Sequence, residues 1–362
     1  MAGPESPLLV LENLTVGFET DDGLVQAVRG VDLDVGEGDV LAVVGESGSG
    51  KSVTALSVLG LHPAGRTRLG GRVLWRGEDL LTANDERMRQ VRGGEISMVF
   101  QDPLTALNPV YSVGDQIIEM VRSHESVSRS EARTRAIEML QLVGIPQPDK
   151  RVDSYPHEFS GGMRQRAMIA MALSCEPKLV IADEPTTALD VTVQAQVLEV
   201  LLEASRRRGA AIMLITHDLG VVASMADKVA VMYAGKVVER AETDELFARP
   251  THPYTSGLLG SLPRVDAREG DTLTPIGGQP PSMLTPPSGC AFHPRCSIAR
   301  RSTGCADVMP ELTELAPAGS SGGGHGGVDG AGEADAAAAM GSHQVACHRR
   351  DEAAVMIERG ER

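Results

Sequence analysis

The sequence predicts an α/β protein built around a parallel sheet, and two observations carry that prediction. Three short apolar runs, at 40–44, 179–182 and 212–216, are continuous and do not alternate with polar residues. Strands that are buried on both faces of a parallel sheet have this pattern. Helical patterns lie between the runs, as in 193–208, where apolar residues recur at helical spacing before Gly209. Alternating strands and helices favour an α/β core.

Length, composition and charge set broad limits on function. The chain has 362 residues, of which 42% are hydrophobic and 23% charged, enough for one large core and a smaller appendage. Its formal net charge of -15 opposes attraction to nucleic acid, so no nucleic acid partner is expected. No apolar run reaches the roughly 18 residues of a membrane span, and the N-terminus does not resemble a signal peptide. We therefore expect a soluble chain whose five cysteines are reduced thiols or metal ligands.

Segments of a different character flank the apolar runs. The stretches 8–18, 25–35 and 71–75 are short, β-rich and joined by Asp/Gly turns, which is typical of antiparallel hairpins. The stretch 128–144 begins with serines, carries apolar residues at helical spacing and ends in glycine, which predicts a helix. We therefore expect an antiparallel β subdomain and an inserted helical subdomain, the latter at about 102–170.

The composition changes in the last third of the chain. Proline pairs at 280–281 and 286–287 predict an extended linker. Residues 317–341 form a Gly, Ala and Ser tract with too few large apolar residues to fold, so this tract is expected to be disordered. The sequence thus predicts a first domain at 6–250 and a small C-terminal extension at 251–362.

The strongest motif is a phosphate-binding loop. Residues 45–52 read GESGSGKS and lie between the apolar run 40–44 and a helical stretch at 53–59. Backbone amides at a helix N-terminus bind phosphate in such loops, the lysine reaches the β- and γ-phosphates, and the Ser52 hydroxyl binds magnesium. A glycine-rich turn that matches by chance is the alternative, and the flanking strand and helix count against it. The motif predicts a phosphate-loop NTPase (RecA-like) core that binds ATP through Gly45, Glu46, Ser47, Gly48, Ser49, Gly50, Lys51, Ser52 and Val53.

Further polar residues are expected at the same edge of the sheet. Asp183 and Glu184 follow one apolar run, and His217 follows another. The carboxyl ends of parallel strands meet at one edge, where ligands bind. We predict that Asp183 holds Mg²⁺, that Glu184 is the general base for the attacking water, and that His217 bonds the γ-phosphate or this water. Alone, the acidic pair could be a turn and the histidine structural, but their convergence favours catalysis.

The order of these motifs resembles that of the ATP-binding-cassette (ABC) ATPases across most of residues 6–250. Residues 159–165, FSGGMRQ, resemble the signature sequence of that family. The start of a helix there makes a second anion site. The resemblance implies that this site covers the γ-phosphate of an ATP held by a second, related cassette. Many cassettes carry glutamine where this chain has methionine. The signature residues are Ser160, Gly161, Gly162 and Met163.

The resemblance assigns three further features. Gln101 in FQDP resembles the glutamine that contacts magnesium and the attacking water. Phe18 lies where the family stacks an aromatic ring on adenine, with a place in the strand core as the alternative. A dimer-interface loop is implied at Ala188, Leu189 and Asp190.

Two motifs in the extension resemble a particular branch of the family. Residues 249–259, RPTHPYTSGLL, and 289–296, GCAFHPRC, resemble the C-terminal region of the dipeptide and oligopeptide importer ATPases, a branch that includes nickel importers. The resemblance implies a heterodimer of two cassettes beneath two transmembrane permeases, with an extracytoplasmic solute-binding protein. It places the chain peripherally at the cytoplasmic face of the inner membrane, powering peptide import. The alternatives are nickel import, a soluble ABC ATPase acting on nucleic acid or ribosomes, and a redox-sensing module.

The cysteines supply the last expectation. Cys290, Cys296, Cys305 and Cys347 lie in the extension, whereas Cys175 lies in the cassette and is expected to be a small buried residue. No CxxC pair is present, which argues against an ordinary zinc ribbon, and four thiols suit a [4Fe–4S] cluster. The resemblance points the same way, since some members carry clusters in this extension. Zinc and no metal remain the alternatives, because the spacing matches no general cluster motif.

Overall fold

The computed structural model describes residues 7–186, 190–261, 276–315 and 343–350. Residue 6, Ala188, Leu189 and the tract 317–341, for which the sequence carries predictions, lie outside the described residues. The strands are β1 (Leu9–Thr20), β2 (Gly23–Val35), β3 (Val40–Val44), β4 (Thr67–Trp75), β5 (Glu78–Asp79), β6 (Ile96–Val99), β7 (Leu179–Asp183), β8 (Ala211–Thr216), β9 (Lys228–Tyr233), β10 (Lys236–Glu242), β11 (Thr313–Glu314) and β12 (Gln344–Val345).

Helices alternate with these strands along the chain. They are α1 (Lys51–Val58), α2 (Asp85–Gln90), α3 (Pro103–Ala106), α4 (Val113–His124), α5 (Arg129–Leu142), α6 (Pro148–Arg151), α7 (Gly161–Leu173), α8 (Val191–Arg208), α9 (Leu219–Met225), α10 (Thr243–Ala248) and α11 (Pro253–Gly260). Single helical turns lie at Pro156–Glu158, His293–Arg295 and Arg301–Thr303. The segment Val91–Glu95, which follows α2, is kinked, because Arg92 and Gly93 have non-helical backbone angles.

The main sheet has the strand order β11-β12-β10-β9-β3-β8-β7-β6. The five strands from β9 to β6 in this order run parallel, and the remaining pairs are antiparallel. Every residue of β3, β7 and β8 is buried, which is why these strands have continuous apolar sequences. The predicted α/β core with a parallel sheet is therefore confirmed.

A second, antiparallel sheet with the order β2-β1-β4-β5 lies against one face of the main sheet. Leu14 and Trp75 from this small sheet share one apolar cluster with Leu41, Ile181 and Ile215 from the main sheet. The predicted antiparallel β subdomain is present, and it packs onto the core strands that position the phosphate loop.

The inserted helical region runs from α3 to α7, and its apolar residues share a cluster with Val180, Ile212 and Leu214 of the main sheet. Local capping fixes where its helices begin. The Ser128 side chain accepts a bond from the Glu131 N–H, and the Glu131 carboxylate accepts one from the Ser128 N–H. This capping box starts α5 at the position that the serine-rich sequence predicts.

The C-terminal extension adds to the core and does not form a core of its own in the described residues. Strand β12 pairs with β10 at the edge of the main sheet, with Glu239 opposite Val345. Tyr254 and Phe292 from the extension join the apolar cluster that contains Tyr233 of β9. The extension is therefore packed against the strands that border the phosphate loop.

No helix among the described residues combines the length and apolar character that crossing a membrane requires.

Candidate nucleotide site and cysteine pocket

The phosphate loop joins β3 to α1, and at two positions its backbone accommodates only glycine. Gly45 has φ +151°, and a Cβ there would lie 2.2 Å from the Met232 carbonyl oxygen. Gly50 has φ +103°, and a Cβ there would lie 2.6 Å from the Ala27 carbonyl oxygen. The loop therefore passes close to neighbouring backbone before it opens into α1, whose first N–H groups have no partner within the helix. This is a suitable place for an anion.

Two buried polar side chains in this loop are positioned to bind a ligand. The Lys51 ammonium is buried and donates to the carbonyl oxygens of Gly45 and Glu46, at 2.8 Å and 3.1 Å. Burial lowers the pKa of Lys51, and the negative charges of Glu184 and Asp183 oppose this shift. The Ser49 hydroxyl is also buried and has no hydrogen-bond partner within the described part of the chain. Both groups fit a phosphate ligand.

The predicted magnesium ligands lie together at the end of β7. The Ser52 hydroxyl donates to the Asp183 carboxylate over 2.8 Å. Burial raises the pKa of Asp183, and the bond from Ser52 opposes this shift. These two oxygens suit a Mg²⁺ site, which usually takes a few protein ligands together with phosphate and water. The third predicted ligand, Gln101, donates instead to Glu184.

Glu184 lies between the other two predicted catalytic residues. The Gln101 side-chain amide donates to the Glu184 carboxylate at 3.2 Å, and the His217 ring nitrogen Nδ1 lies 3.6 Å from the same carboxylate. Glu184 has φ +44°, which is unusual for a residue with a side chain, and its N–H donates to the Ile215 carbonyl of β8. The structure thus brings together Gln101, Glu184 and His217, as the sequence predicts, on three different strand ends.

The signature residues lie at an exposed helix start. Ser160 caps α7, its hydroxyl accepts a bond from the Met163 N–H at 3.3 Å, and both Ser160 and Gly161 are exposed. A Cβ on Gly162 would lie 2.8 Å from the side chain of Val193 in α8. Asp190 caps α8 by accepting from the Val193 N–H at 3.0 Å. The start of α7, which carries the predicted signature, and the start of α8, which follows the predicted interface loop, are therefore neighbours.

Phe18 lies in β1, partly buried. Its ring makes an edge-to-face contact with His62, with the ring centroids 5.5 Å apart. It also packs against the apolar cluster beneath the small sheet. The stacking of Phe18 on adenine stays a prediction.

The four cysteines of the extension line one cavity, together with Phe292. Burial raises the pKa of Cys290 to about 11 and that of Cys347 to about 12. Burial also raises the pKa of Cys296. The protonated forms of these three thiols are therefore favoured. The cavity is called the cysteine pocket and is defined by Cys290, Cys296, Cys305 and Cys347. Cys175 lies elsewhere, buried in the cassette as predicted.

The pocket has the donor chemistry for a metal but not the arrangement. Backbone N–H groups bond the sulfurs, as Arg349 does to Cys347 at 3.4 Å, and such bonds stabilise thiolates. Across the described ranges, however, no three Cys, His, Asp or Glu side chains form a group that could hold a metal ion. The predicted iron–sulfur site is therefore unsupported by this geometry.

Sequence reasoning missed two contacts between the extension and the phosphate loop. The Arg295 guanidinium pairs with the Glu46 carboxylate over 2.8 Å and 3.1 Å, and the Tyr254 hydroxyl accepts a bond from the Glu46 N–H at 2.8 Å. Both residues lie in the motifs RPTHPYTSGLL and GCAFHPRC. These motifs were the only available signal, because contacts across more than 200 positions leave no local pattern.

The relatives of this chain among known proteins agree with a nucleotide site at the phosphate loop. The ABC transporter family matches residues 28–187. The dipeptide transport ATP-binding protein DppD of Bacillus subtilis is 53% identical over 307 residues, which cover 84% of this chain and 91% of that relative. The chain belongs to the ABC transporter family. Residues 238–305 of this ABC ATPase match the C-terminal region of oligopeptide/dipeptide transporters.

Further relatives agree. The oligopeptide transport ATP-binding protein OppD of Bacillus subtilis is 52% identical over 296 residues, which cover 81% of this ABC ATPase and 82% of the relative. Among solved structures, the dimeric ATP-binding cassette MJ0796 bound to ADP and Pi matches with a TM-score of 0.58 and 25% identity. The match covers 65% of this chain and 98% of that one. The predicted phosphate-loop NTPase core of the ABC ATPase is therefore confirmed.

Proposed function

We propose that this ABC ATPase hydrolyses ATP to power the import of dipeptides or oligopeptides through a membrane permease. The main supporting observation is the convergence of Lys51, the Ser52–Asp183 contact and Glu184 at the carboxyl ends of the core strands β3 and β7. The peptide assignment rests on the matched C-terminal region and on the relatives named for dipeptide and oligopeptide transport.

In this proposal the phosphate loop binds the triphosphate. Lys51 leaves the loop carbonyls that it contacts and donates to the β- and γ-phosphates. Ser52 and Asp183 would hold Mg²⁺, which would supply positive charge beside the phosphates. Their present contact would open to admit the ion, and Gln101 would join them or the attacking water.

Glu184 acts as the general base in this proposal. Its carboxylate accepts the proton of the attacking water, while Gln101 and His217 hold the carboxylate and the water in position. Because the Glu184 N–H is bonded to β8, the backbone that carries the base is attached to the core sheet.

The site is half of a composite site. Ser160 and Gly161 form an exposed helix start, and we propose that they cover the γ-phosphate of the ATP bound by a second ABC ATPase. The partner's signature would cover the ATP bound at residues 45–52. Asp190 would lie in the interface between the two cassettes, with Ala188 and Leu189.

Membrane permease subunits are the partners that an ABC transporter ATPase implies. We propose a heterodimer of related ATPases beneath two permeases, supplied by an extracytoplasmic solute-binding protein. This ABC ATPase would then be a peripheral subunit on the cytoplasmic face of the inner membrane.

We also propose a [4Fe–4S] cluster in the cysteine pocket. The support is that four thiols line one cavity and that backbone N–H groups bond their sulfurs. Binding would require the four side chains to close around the cluster, and zinc is the competing occupant. Protein purified without oxygen should be brown and contain iron and sulfide in stoichiometric amounts. Colourless protein that contains only zinc, or no metal, would exclude the cluster.

Transport itself is tested with the complete complex in proteoliposomes. The permeases, the partner ATPase and the binding protein are reconstituted with this chain, and uptake of a labelled dipeptide, a labelled pentapeptide and ⁶³Ni²⁺ is measured. We expect uptake of peptide that depends on ATP and is lost when Glu184→Gln replaces the wild type. Uptake of nickel without peptide would overturn the peptide assignment.

A further inference from the structure

Residue Glu46 of the phosphate loop is held by the C-terminal extension at two points. Its carboxylate pairs with both terminal nitrogens of Arg295, and its N–H donates to the hydroxyl of Tyr254. Arg295 is 249 positions from Glu46 and Tyr254 is 208 positions away. The second residue of the loop is therefore fixed by residues outside the matched ABC transporter region, 28–187.

The Arg295 side chain is buried, and all of its hydrogen-bond donors are satisfied in this arrangement. Its side chain is 5% exposed, against 27% for Glu46. All five N–H groups have acceptors: besides the Glu46 carboxylate these are the Tyr233 hydroxyl and the carbonyls of Gly277 and Ile276. This ion pair is bidentate and every donor of the arginine is satisfied. It therefore differs from a mobile surface ion pair, which contributes little to stability. Removing one partner of such a pair leaves a charge uncompensated.

Aromatic packing positions the arginine. The guanidinium lies over the Tyr233 and Phe292 rings, 5.8 Å and 5.9 Å from their centroids. Tyr254 packs against both rings, at 4.5 Å from Tyr233 and 5.4 Å from Phe292. The two groups that hold Glu46 thus belong to one packed cluster. Arginine makes such cation–π contacts more often than lysine, and its planar guanidinium can also form the forked pair with a carboxylate.

The same segment borders the cysteine pocket. Arg295 ends the helical turn His293–Arg295, and the neighbouring Cys296 donates its N–H to the His293 carbonyl at 3.3 Å. At the other end of the segment, the Cys290 carbonyl accepts a bond from the His293 N–H at 3.0 Å. A movement of either cysteine therefore reaches Arg295 through one short turn.

We propose that Arg295 is a positioning residue for ATP binding, which neutralises the Glu46 carboxylate beside the phosphates and holds the loop in its binding conformation. The inference rests on the proposed binding of the triphosphate at residues 45–52. An unpaired carboxylate at position 46 would repel the triphosphate, whereas the paired one is compensated. Arg295 touches no reacting atom in this role, so it affects the binding of ATP more than the chemical step.

The test measures the Kd for a fluorescent ATP analogue and the kcat and KM of hydrolysis, using the full chain with its partner ATPase. We expect Arg295→Ala to raise Kd and KM about tenfold with kcat close to wild type, because repulsion acts on ground state and transition state alike. The double variant Arg295→Ala/Glu46→Gln should recover most of the affinity, since the repelling charge is gone. Arg295→Lys should lie between Arg295→Ala and wild type, because it keeps the charge without the fork.

Two results would overturn the inference. One is an unchanged Kd in Arg295→Ala. The other is equal weakening in Arg295→Ala and in the double variant, which would mean that Arg295 only supports the fold. Arg301→Ala, an exposed arginine in the same extension, is the matched control. Lys51→Ala separates the proposed phosphate site from the proposed role of Arg295. If Lys51→Ala binds ATP normally, the phosphate site is misassigned. If Lys51→Ala binds ATP weakly while Arg295→Ala binds it normally, only the role of Arg295 is contradicted.

Discussion

The phosphate-loop edge of the sheet and the cysteine pocket differ in their electrostatics. At the sheet edge, opposite charges and hydrogen-bond donors lie together: Lys51 is close to Asp183 and Glu184, and the carboxylates accept bonds from side chains. In the pocket, burial raises the pKa of Cys290 and Cys347 and lowers that of His252, so the neutral forms of these three groups are favoured. The first region places opposite charges together, whereas burial in the second favours the neutral forms of Cys290, Cys347 and His252.

This difference has a consequence for mutation. Removing a charge at the sheet edge should damage hydrolysis or nucleotide binding and leave folding nearly intact, because these charges surround the nucleotide site and do not belong to the apolar core. Adding a charge in the pocket should damage folding and leave the chemistry nearly intact, because the pocket is buried. The predictions below test this contrast, from the largest expected effect to the smallest.

The largest effect is expected from Glu184→Gln. Loss of the general base should lower kcat by about a thousandfold, the usual scale for a general base, while the Kd for ATP stays near wild type. Turnover is measured by phosphate release and binding by a fluorescent ATP analogue. Glu203→Gln, an exposed change on α8, is the matched control and should behave as wild type. Full hydrolysis by Glu184→Gln would refute the assignment of the base.

Lys51→Ala should act on binding. The ammonium is the buried cation of the loop, so its removal should weaken ATP binding about a hundredfold, which corresponds to two charge-assisted hydrogen bonds. Calorimetric titration with MgATP measures this loss, and thermal unfolding without nucleotide should change little. Lys150→Ala, an exposed lysine in α6, is the control. Equal affinity in Lys51→Ala and Lys150→Ala would contradict the placement of the triphosphate.

The sheet edge was predictable because its signals are local. β3 and β7 are buried throughout, so their sequences are continuous apolar runs, and the polar residues that follow must meet at one edge. The glycines at 45 and 50 mark close approaches of backbone that no other residue fits. The start of α5 was predictable for the same reason, since Ser128 caps it directly.

The extension was less predictable because its contacts are long-range. β12 has two residues and no periodicity of its own. Its partner strand β10, in the first domain, buries Glu239 and Arg240, and these charged residues obscure the apolar pattern of that strand. Glu239 is satisfied only in three dimensions, by the N–H groups of Thr251 and His252 and by His343. The pairing of Arg295 with Glu46 is equally invisible to local patterns.

Acid should destabilise the pocket side through His252. Burial lowers its pKa to about 4 and the nearby Glu239 carboxylate opposes this shift, so folded His252 stays neutral at a pH where the unfolded chain takes up a proton. Stability is therefore lost as pH falls from about 6.5 towards 4, and the share of His252 is about 2 kcal/mol at pH 5. Urea unfolding at pH 7 and pH 5 measures the loss.

The control comparison for this prediction uses two Asn variants. His252→Asn keeps a side-chain acceptor for the Tyr254 N–H, which caps α11, and should reduce the loss between pH 7 and pH 5 by about 2 kcal/mol. His157→Asn, at an exposed position, should leave the loss unchanged. If both variants lose as much stability as the wild type, His252 is not the group that titrates.

The smallest effect on hydrolysis is expected from Cys347→Ser. Cys347 lines the pocket, but it takes no part in the pairing of Arg295 with Glu46, so kcat and the Kd for ATP should stay near wild type. If the pocket holds a cluster, the same change should lower the iron content measured after anaerobic purification, because a ligand is lost. Cys175→Ser, a buried cysteine outside the pocket, should keep the wild-type iron content. A large fall in kcat with Cys347→Ser would mean that the pocket acts on the sheet edge directly, and that the two regions are not separable in the way their electrostatics indicate.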